Sequence, residues 1–298
     1  MRLFFLLILI TPLIKVNAQI ESTIEIFDIT TNERTVVVKE NYYLEAPNWS
    51  KDGKYLVYNS EGNLFKLDLA TKEKKIIFTD FADKINNDHG ISPDGSLLVI
   101  SHFDQPNTSD INWETSKIYI LPITGGSPKL IPTEGPSFWH GWSPDGETLA
   151  FVGARNGDLD IYSIDIKGGK ERRLTSADGL DDGPDYSHDG KYIYYNSFQS
   201  GKMEIWRMNA DGSNHMQLTD DKYSNWFPHP SPEGNGFVYL AYLEDQGSNH
   251  PAMKKVALRY YNLEDKSIRT LCEFTGGQGT INVPSWSPSG DKFAFVSY

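Results

Sequence analysis

Short runs of alternating apolar and polar residues recur along the chain, each directly after a tight polar turn. The run GWSPDGETLAF at residues 141–151 is typical of them. Its proline presets φ, its aspartate can bond back to the nearby backbone, and its glycine accepts a positive φ. Each such run therefore predicts a β-hairpin that joins the first and second strands of a sheet.

The hairpin occurs six times, at intervals of about 42 to 56 residues. The six turns begin at Ser50, Ser92, Ser143, Ser187, Ser231 and Ser287. Each complete copy continues with two more β-rich runs, such as DLDIYSID after the third turn. Four short strands repeated with this period are typical of a β-propeller. The predicted fold class is all-β: a six-bladed β-propeller with four-stranded antiparallel blades.

The two ends of the chain predict how the ring closes. The last turn is followed only by DKFAFVSY, which leaves the sixth blade with two strands. The segment TIEIFDITTNERTVVV, near the other end, has the pattern of a third and a fourth strand. Pairing the two segments would complete one blade and leave no open sheet edge. We therefore expect residues 19–298 to form a single propeller domain.

The first 18 residues have the pattern of a signal peptide. Arg2 is followed by an apolar run at residues 3–14 that is too short to span a membrane. Val-Asn-Ala at residues 16–18 is a cleavage site of the small-residue type, so we expect the mature chain to begin at Gln19. No cysteine follows the site, which argues against a lipid anchor. The sequence predicts a periplasmic or secreted protein with no transmembrane segment after cleavage.

Composition narrows the range of partners. The chain has 28 Lys and Arg against 40 Asp and Glu, a formal net charge of -12. Nucleic-acid binding depends on clustered basic groups, so a nucleic-acid partner is not expected. Cys272 is the only cysteine, which excludes an intramolecular disulfide. We expect a monomer that is stabilised by its core alone.

The repeats resemble those of the TolB-like propeller family, also described as WD40-like or PD40 repeats. The match is carried by segments such as GWSPDGETLAFVGARNGDLDIYSIDIKGGKERRLT, and it extends over nearly all of the predicted mature chain. TolB proteins carry an α/β domain before the propeller. Only about thirty residues separate the predicted signal peptide from the first turn, so we expect that domain to be missing.

Similar repeats occur in the propellers of prolyl oligopeptidases and of oligogalacturonate lyases. The chain has no G-x-S-x-G nucleophile motif, which argues against a peptidase. The lyase resemblance implies a metal held by histidines, and a basic residue that removes a proton next to a uronate. Those lyases have seven blades, whereas six are predicted here, so none of their residues is carried over to this chain.

Departures from the repeat indicate where a ligand could bind. Two insertions, at residues 104–115 and 244–255, follow second strands and so share the face opposite the serine turns. On the same face, His89 and His140 stand three residues before a serine, where the other copies have proline. Convergent polar groups at a concave mouth are the usual form of a ligand site. The predicted ligand-binding residues are Asp88, His89, Trp139, His140, Asp181, Asp182, Asn225, Trp226, His229, His250, Arg259, Gln278 and Asn282.

Each of these residue types also has a structural interpretation. Trp139 and Trp226 could stack on a sugar or aromatic ring, or pack between blades. Arg259 could bind a carboxylate ligand or form an internal salt bridge. His250 could reach over the mouth or remain in solvent. The whole set could simply cap strand ends and connect neighbouring blades.

A divalent metal is the one cofactor that the sequence suggests. His89, His140 and His229 come from three blades, and imidazoles together with carboxylates can hold zinc or another transition metal. No histidine spacing typical of a metal motif supports the suggestion.

Three functions remain open from the sequence. We favour a ligand-binding or protein-interaction module whose mouth takes a small molecule, a saccharide, a peptide or an envelope protein. The alternative is a metal-assisted carbohydrate-active enzyme similar to the oligogalacturonate lyases. The third is an interaction platform in which the mouth plays no part. We favour a role that is not enzymatic.

Overall fold

The computed structural model describes residues 20–105, 111–155 and 157–298. The predicted signal peptide and its cleavage site lie outside the described residues. Within those residues the chain forms strands connected by turns, with a single short 3-10 helix at Trp113–Thr115. The prediction of an all-β chain is confirmed.

The strands are numbered β1 to β23 in chain order. The first two are β1 (Ser22–Asp28) and β2 (Glu33–Glu40). Blade one contains β3 (Glu45–Trp49), β4 (Tyr55–Ser60), β5 (Asn63–Asp68) and β6 (Lys74–Ile76). Blade two contains β7 (Ile85–Ile91), β8 (Leu97–Phe103), β9 (Ser116–Pro122) and β10 (Lys129–Leu130). Blade three contains β11 (Ser137–Trp142), β12 (Thr148–Arg155), β13 (Asp158–Asp165) and β14 (Arg172–Arg173).

Blades four and five follow the same antiparallel order. Blade four contains β15 (Asp181–Tyr186), β16 (Tyr192–Ser197), β17 (Glu204–Asn209) and β18 (Met216–Gln217). Blade five contains β19 (Ser224–Pro230), β20 (Gly236–Tyr242), β21 (Lys254–Asn262) and β22 (Ile268–Gly276). The last strand, β23 (Lys292–Ser297), belongs to blade six.

Blade six is built from both ends of the chain, as the sequence predicts. β23 pairs antiparallel with β1, which in turn pairs with β2. The innermost strand is reduced to a bridge between Trp286 and Phe293. Buried Glu25 holds the seam together, because its carboxylate accepts hydrogen bonds from Arg34 of β2 and from the hydroxyl of Ser297 in β23. The six-bladed ring with a split blade is thus confirmed.

The repeated serine organises each turn. The Ser143 hydroxyl donates to the Asp145 carboxylate (2.5 Å) and accepts the backbone N–H of Thr148 (2.9 Å). Gly146 closes the turn at φ +74°, a conformation that favours glycine. Serine–aspartate bonds with the same spacing occur at Ser50, Ser92 and Ser187. The motif therefore has a structural role, and its sequence repeats because each turn needs the same hydrogen bonds.

The innermost strands are irregular at their beginnings, and this irregularity positions the site. Their register shifts between two and seven residues before the serine in each of blades one to five. Four residues before the serine, Ala46, Gly183 and Phe227 have positive φ. Such bulges re-aim side chains and are frequent beside functional sites.

Candidate functional site

A cavity of about 830 Å³ lies where the innermost strands begin. Its walls come from those strand beginnings and from loops that follow second strands, at the end of the ring away from the serine turns. Its volume is in the range of small-molecule sites in proteins. The cavity is therefore the natural candidate for a binding site.

Equivalent positions of the repeat converge on the floor of the cavity. The residue five positions before the serine lines it in five blades: Glu45, Asn87, Phe138, Asp182 and Asn282. In blade five that position is Trp226, which is buried, and the next residue, Phe227, lines the cavity instead. All six blades therefore contribute to one floor.

Polar side chains on the floor form a continuous hydrogen-bonded chain. The Asn87 amide donates to the Glu45 carboxyl (3.4 Å), and Gln278 donates to the Asn87 side-chain oxygen (3.2 Å). Asn282 donates to the Gln278 side-chain oxygen (3.0 Å). The backbone carbonyl of Asn282 then contacts Nδ1 of His140 (3.2 Å). These hydrogen bonds connect blades one, two, six and three across the mouth.

His140 is the positively charged member of this hydrogen-bond network. Its Nε2 lies 3.1 Å from the Asp182 carboxylate and 3.9 Å from that of Asp88. Burial opposes protonation of the imidazole, but the two carboxylates and the hydrogen bond to Asp182 outweigh it and raise the pKa of His140 to about 9. Burial likewise opposes ionisation of Asp182, yet its bond to His140 keeps the pKa of this carboxyl below the ordinary value. At neutral pH the pair is an ion pair.

Two other carboxyl groups on the floor, half-buried Glu45 and buried Asp88, have pKa values that are raised instead of lowered. Burial, reinforced by the charge of Asp88, raises the pKa of Glu45 to about 7 despite the bond from Asn87. Burial also raises the pKa of Asp88 to about 6, although His140 and the Asn86 amide partly offset the effect. Perturbed acids in a cleft are a feature of functional sites. Near neutral pH these groups can exchange protons when a ligand binds.

Part of the cavity wall is apolar. Val152 and Leu159 of blade three and Leu180 next to blade four contribute to it. Trp113, from the blade-two insertion, stands at the rim with half of its surface exposed. From the blade-five insertion, His250 packs edge-on against buried Trp226 and lies 3.6 Å from Asp182. Both insertions therefore border the cavity, although residues 106–110 of the first lie outside the described residues.

The structure separates the predicted site residues into two groups. Those that line the cavity are Asp88, His140, Asp182, His250, Gln278 and Asn282. The others are placed in blade packing: His89, Trp139, Asp181, Asn225, Trp226, His229 and Arg259.

Trp139 and Trp226 do not offer a stacking surface. Both are almost completely buried, and the ring of Trp139 packs so closely against Gly90 that a Cβ there would lie 2.0 Å from it. The indole N–H of Trp226 donates to Ser224 (3.0 Å). Of the two interpretations of these tryptophans, the structure agrees with packing between blades.

Arg259, Asn225 and Asp181 lie away from the cavity lining. Arg259 forms an ion pair with Asp221 and covers the ring of Tyr223, so the alternative of an internal salt bridge is the one observed. Asn225 donates to Glu204 (2.7 Å). Asp181 is buried in β15, and burial raises its pKa to about 6.

The three histidines suggested as metal ligands are not arranged to hold a metal. Both ring nitrogens of His229 are engaged, one with Asp185 (3.0 Å) and one with the carbonyl of Ile281 (2.7 Å). His89 is fully buried, and burial lowers its pKa to about 4. Across the described parts of the chain, no group of three or more His, Cys, Asp or Glu side chains could bind a metal ion. The proposed histidine set is therefore not supported.

Some lining residues were missed by the sequence analysis. Glu45 and Asn87 stand at the same repeat position as Asp182 and Asn282, and that equivalence was the available signal. Trp113 lies in the insertion at residues 104–115, which was its signal, whereas Asn59 comes from a second strand and carried none.

Six blades with these serine turns, closed by both chain ends, define a TolB-type β-propeller. A family model described as the TolB beta propeller domain matches residues 106–298, and the chain belongs to this family. It is 48% identical over 285 residues to an uncharacterized protein of Agrobacterium fabrum, covering 95% of this chain and 94% of that one. A solved structure described as a candidate TolB of Agrobacterium tumefaciens is 47% identical, with a TM-score of 0.88, and covers 93% of this chain and 98% of its own.

More distant relatives carry the TolB name. The Tol-Pal system protein TolB of Francisella tularensis is 26% identical over 272 residues, which is 86% of this chain but 57% of that protein. TolB of Acinetobacter baumannii is 20% identical with a TM-score of 0.66, covering 87% of this chain and 64% of its own. An oligogalacturonate lyase of Vibrio parahaemolyticus is 14% identical with a TM-score of 0.54, covering 93% of this chain and 97% of its own. The last two share the fold alone.

In the part of the chain that the structure describes, no helix has the length and apolar character needed to cross a membrane.

Proposed function

We propose that this protein is an exported binding module whose cavity, at the face opposite the serine turns, holds the ligand. The observation that carries the proposal is the floor itself, to which all six blades contribute. A propeller needs its repeats for closure, but closure does not need a hydrogen-bonded chain of carboxyl, amide and imidazole groups across its mouth. Such a chain fits a function in recognition.

The two halves of the cavity suit different parts of one ligand. The floor offers fixed polar groups that can select orientation, while Val152, Leu159 and Leu180 offer apolar surface. Sites for small organic molecules typically combine these features. The partner we propose is thus a small molecule or a peptide segment that inserts an end into the cavity.

The lyase alternative receives less support. A polyuronate carries one carboxylate per sugar, and the floor carries the carboxyl groups of Glu45, Asp88 and Asp182, which would repel it. The likeness to oligogalacturonate lyases is a likeness of fold, and fold alone does not transfer an activity.

We place the protein in the periplasm or outside the cell, as a monomer with one propeller domain after removal of residues 1–18. The support is the signal-peptide pattern of the sequence, together with relatives named for the Tol-Pal system. An envelope protein that presents a peptide end is compatible with the same cavity.

A ligand screen by thermal shift tests the proposal. A ligand that binds the folded state raises the melting temperature, by an amount that grows with its concentration relative to Kd. We would screen amines, sugars, organic acids and short peptides against the native sequence and against Ala252→Trp, in which the indole would fill the cavity from a loop.

Ala70→Trp is the matched control, since Ala70 is exposed in a turn and does not line the cavity. We expect hits that stabilise the native protein and Ala70→Trp but not Ala252→Trp. Hits that stabilise all three proteins equally would contradict the proposal, because their site would then lie elsewhere.

A further inference from the structure

The charged groups around the cavity are unbalanced. Of the residues that the structure describes, one lysine and two histidines line it, against five carboxyl groups: Glu45, Glu61, Asp83, Asp88 and Asp182. His140 is already committed to Asp182 and to the carbonyl of Asn282. The chain as a whole is also acidic, which extends the negative field beyond the cavity. The cavity therefore favours a positively charged ligand.

A buried acceptor on the wall lacks a donor. Asn59 is 1% exposed, and its amide nitrogen donates to the backbone carbonyls of Ile85 (2.7 Å) and Asn86 (2.8 Å). Its side-chain oxygen has no hydrogen-bond partner among the residues that the structure describes, although Asn59 lines the cavity. A buried acceptor without a donor is costly, so a ligand that brings an N–H group would relieve that cost.

Two carboxyl groups of the floor, Glu45 and Asp88, are held by neutral amides. Within the described part of the chain, Glu45 accepts one long bond from Asn87 (3.4 Å), and Asp88 accepts one from Asn86 (2.6 Å). The nearest approach of His140 to Asp88 is 3.9 Å, which is longer than a hydrogen bond. An added cation would pair with these carboxyl groups and displace the proton that Glu45 partly retains near neutral pH.

We infer that the cavity binds an organic cation, a protonated amine on an apolar stem, with the ammonium group at the acidic floor and the stem along the apolar wall. The inference rests on the proposed function and specifies its ligand. The stem would contact Leu159 and Leu180, and the exposed ring of Trp113 at the rim can face either the stem or the cation.

Three probes of equal length test the charge directly: hexylammonium, hexanol and hexanoate, each titrated calorimetrically into the native protein near neutral pH. We expect hexylammonium to bind at least about tenfold more tightly than hexanol, and hexanoate not to bind. Glu45→Gln should weaken the binding of hexylammonium by about tenfold and leave the affinity for hexanol unchanged, because the variant keeps the shape of the side chain and removes its charge. Repeating the titration in buffers of different ionisation enthalpy should show release of protons on binding.

The outcomes separate this inference from the proposed function. If hexanol or hexanoate binds as tightly as hexylammonium and Ala252→Trp abolishes that binding, the cavity is a site but the cation inference is wrong. If hexylammonium binds equally well to Ala252→Trp, both the proposed function and the cation inference are wrong. If hexylammonium does not bind while another hit depends on Ala252, the inference alone is overturned.

An ammonium group could arrive on a free amine or on the lysine of a protein. A lysine blocked at both ends, with blocked norleucine as its uncharged partner, distinguishes the sources. Tight binding of blocked lysine would support a peptide donor, whereas binding of hexylammonium alone would support a free amine. Binding of norleucine as tightly as lysine would overturn the cation inference.

Discussion

Replacing His140 by glutamine should destabilise the protein in a pH-dependent way. Its pKa is raised from 6.5 to about 9, a difference that corresponds to about 3 kcal/mol of extra stability for the protonated form. Glutamine keeps a polar side chain but leaves Asp182 and Asp88 buried without their cation. Removing one member of a buried ion pair costs about 3–5 kcal/mol.

The sign of the pH dependence follows from the raised pKa. The stabilisation is fully present below the unfolded pKa of 6.5 and is lost as the pH rises through about 9. Between about pH 7 and about pH 9 the native protein should therefore lose about 2 kcal/mol of unfolding free energy through this residue. The raised pKa values of Asp88 and Glu45 act mainly below this window.

Urea denaturation near both pH values measures the effect. We expect the difference between the native protein and His140→Gln to be large at about pH 7 and to shrink by about 2 kcal/mol at about pH 9. His188→Gln is the control, because His188 is exposed in a serine turn. Equal stability of His140→Gln and the native protein, with the same pH slope, would refute the ion-pair account of the site.

Three further predictions rest on the structure and one on the sequence. Glu45→Gln should stabilise the protein above about pH 7, by up to about 3 kcal/mol, because it removes a carboxyl group whose charged form is disfavoured by burial. Deleting residues 293–298 should abolish soluble folded protein, since β23 pairs with β1. Gly90→Ala should cost about 1–3 kcal/mol, because the new Cβ would clash with the ring of Trp139. Exported protein should begin at Gln19 by mass spectrometry.

Each of these predictions has a contradicting result. Urea denaturation that shows no gain in unfolding free energy for Glu45→Gln would mean that burial does not disfavour the charged form of this carboxyl group. A truncated protein with an unchanged melting temperature would contradict closure through β23. Gly95→Ala serves as the comparison for Gly90, since a Cβ at Gly95 meets nothing nearer than 3.4 Å, although its positive φ adds strain of its own. Retention of residues 1–18 would contradict cleavage.

The fold could be predicted because its determinants are local. The serine turn repeats the same hydrogen bonds, such as Ser143 to Asp145, and those bonds need the same residues each time. The split blade could also be predicted, because a strand pattern at one end was missing its partners and the other end supplied them. Repetition and unpaired edges are visible in a sequence.

The site was predicted less well, because the direction of a side chain depends on the bulges. His89 and His140 stand at the same repeat position, yet His89 is buried between blades and His140 lines the cavity. Trp226 is buried and Phe227 lines the cavity, whereas Asp182, at the repeat position of Trp226, lines it directly, although Gly183 and Phe227 share a positive φ. The repeat position alone therefore does not determine which side chain faces the cavity, because the local backbone irregularity and the neighbouring side chains also decide it.

The most direct test of the binding claim is a crystal structure of the protein with the ligand from the thermal-shift screen that stabilises it most. The account predicts ligand density inside the cavity, in contact with Asp88, His140 or Asp182 on the floor. Density on the serine-turn face or between outer strands, with the cavity empty of ligand, would contradict it.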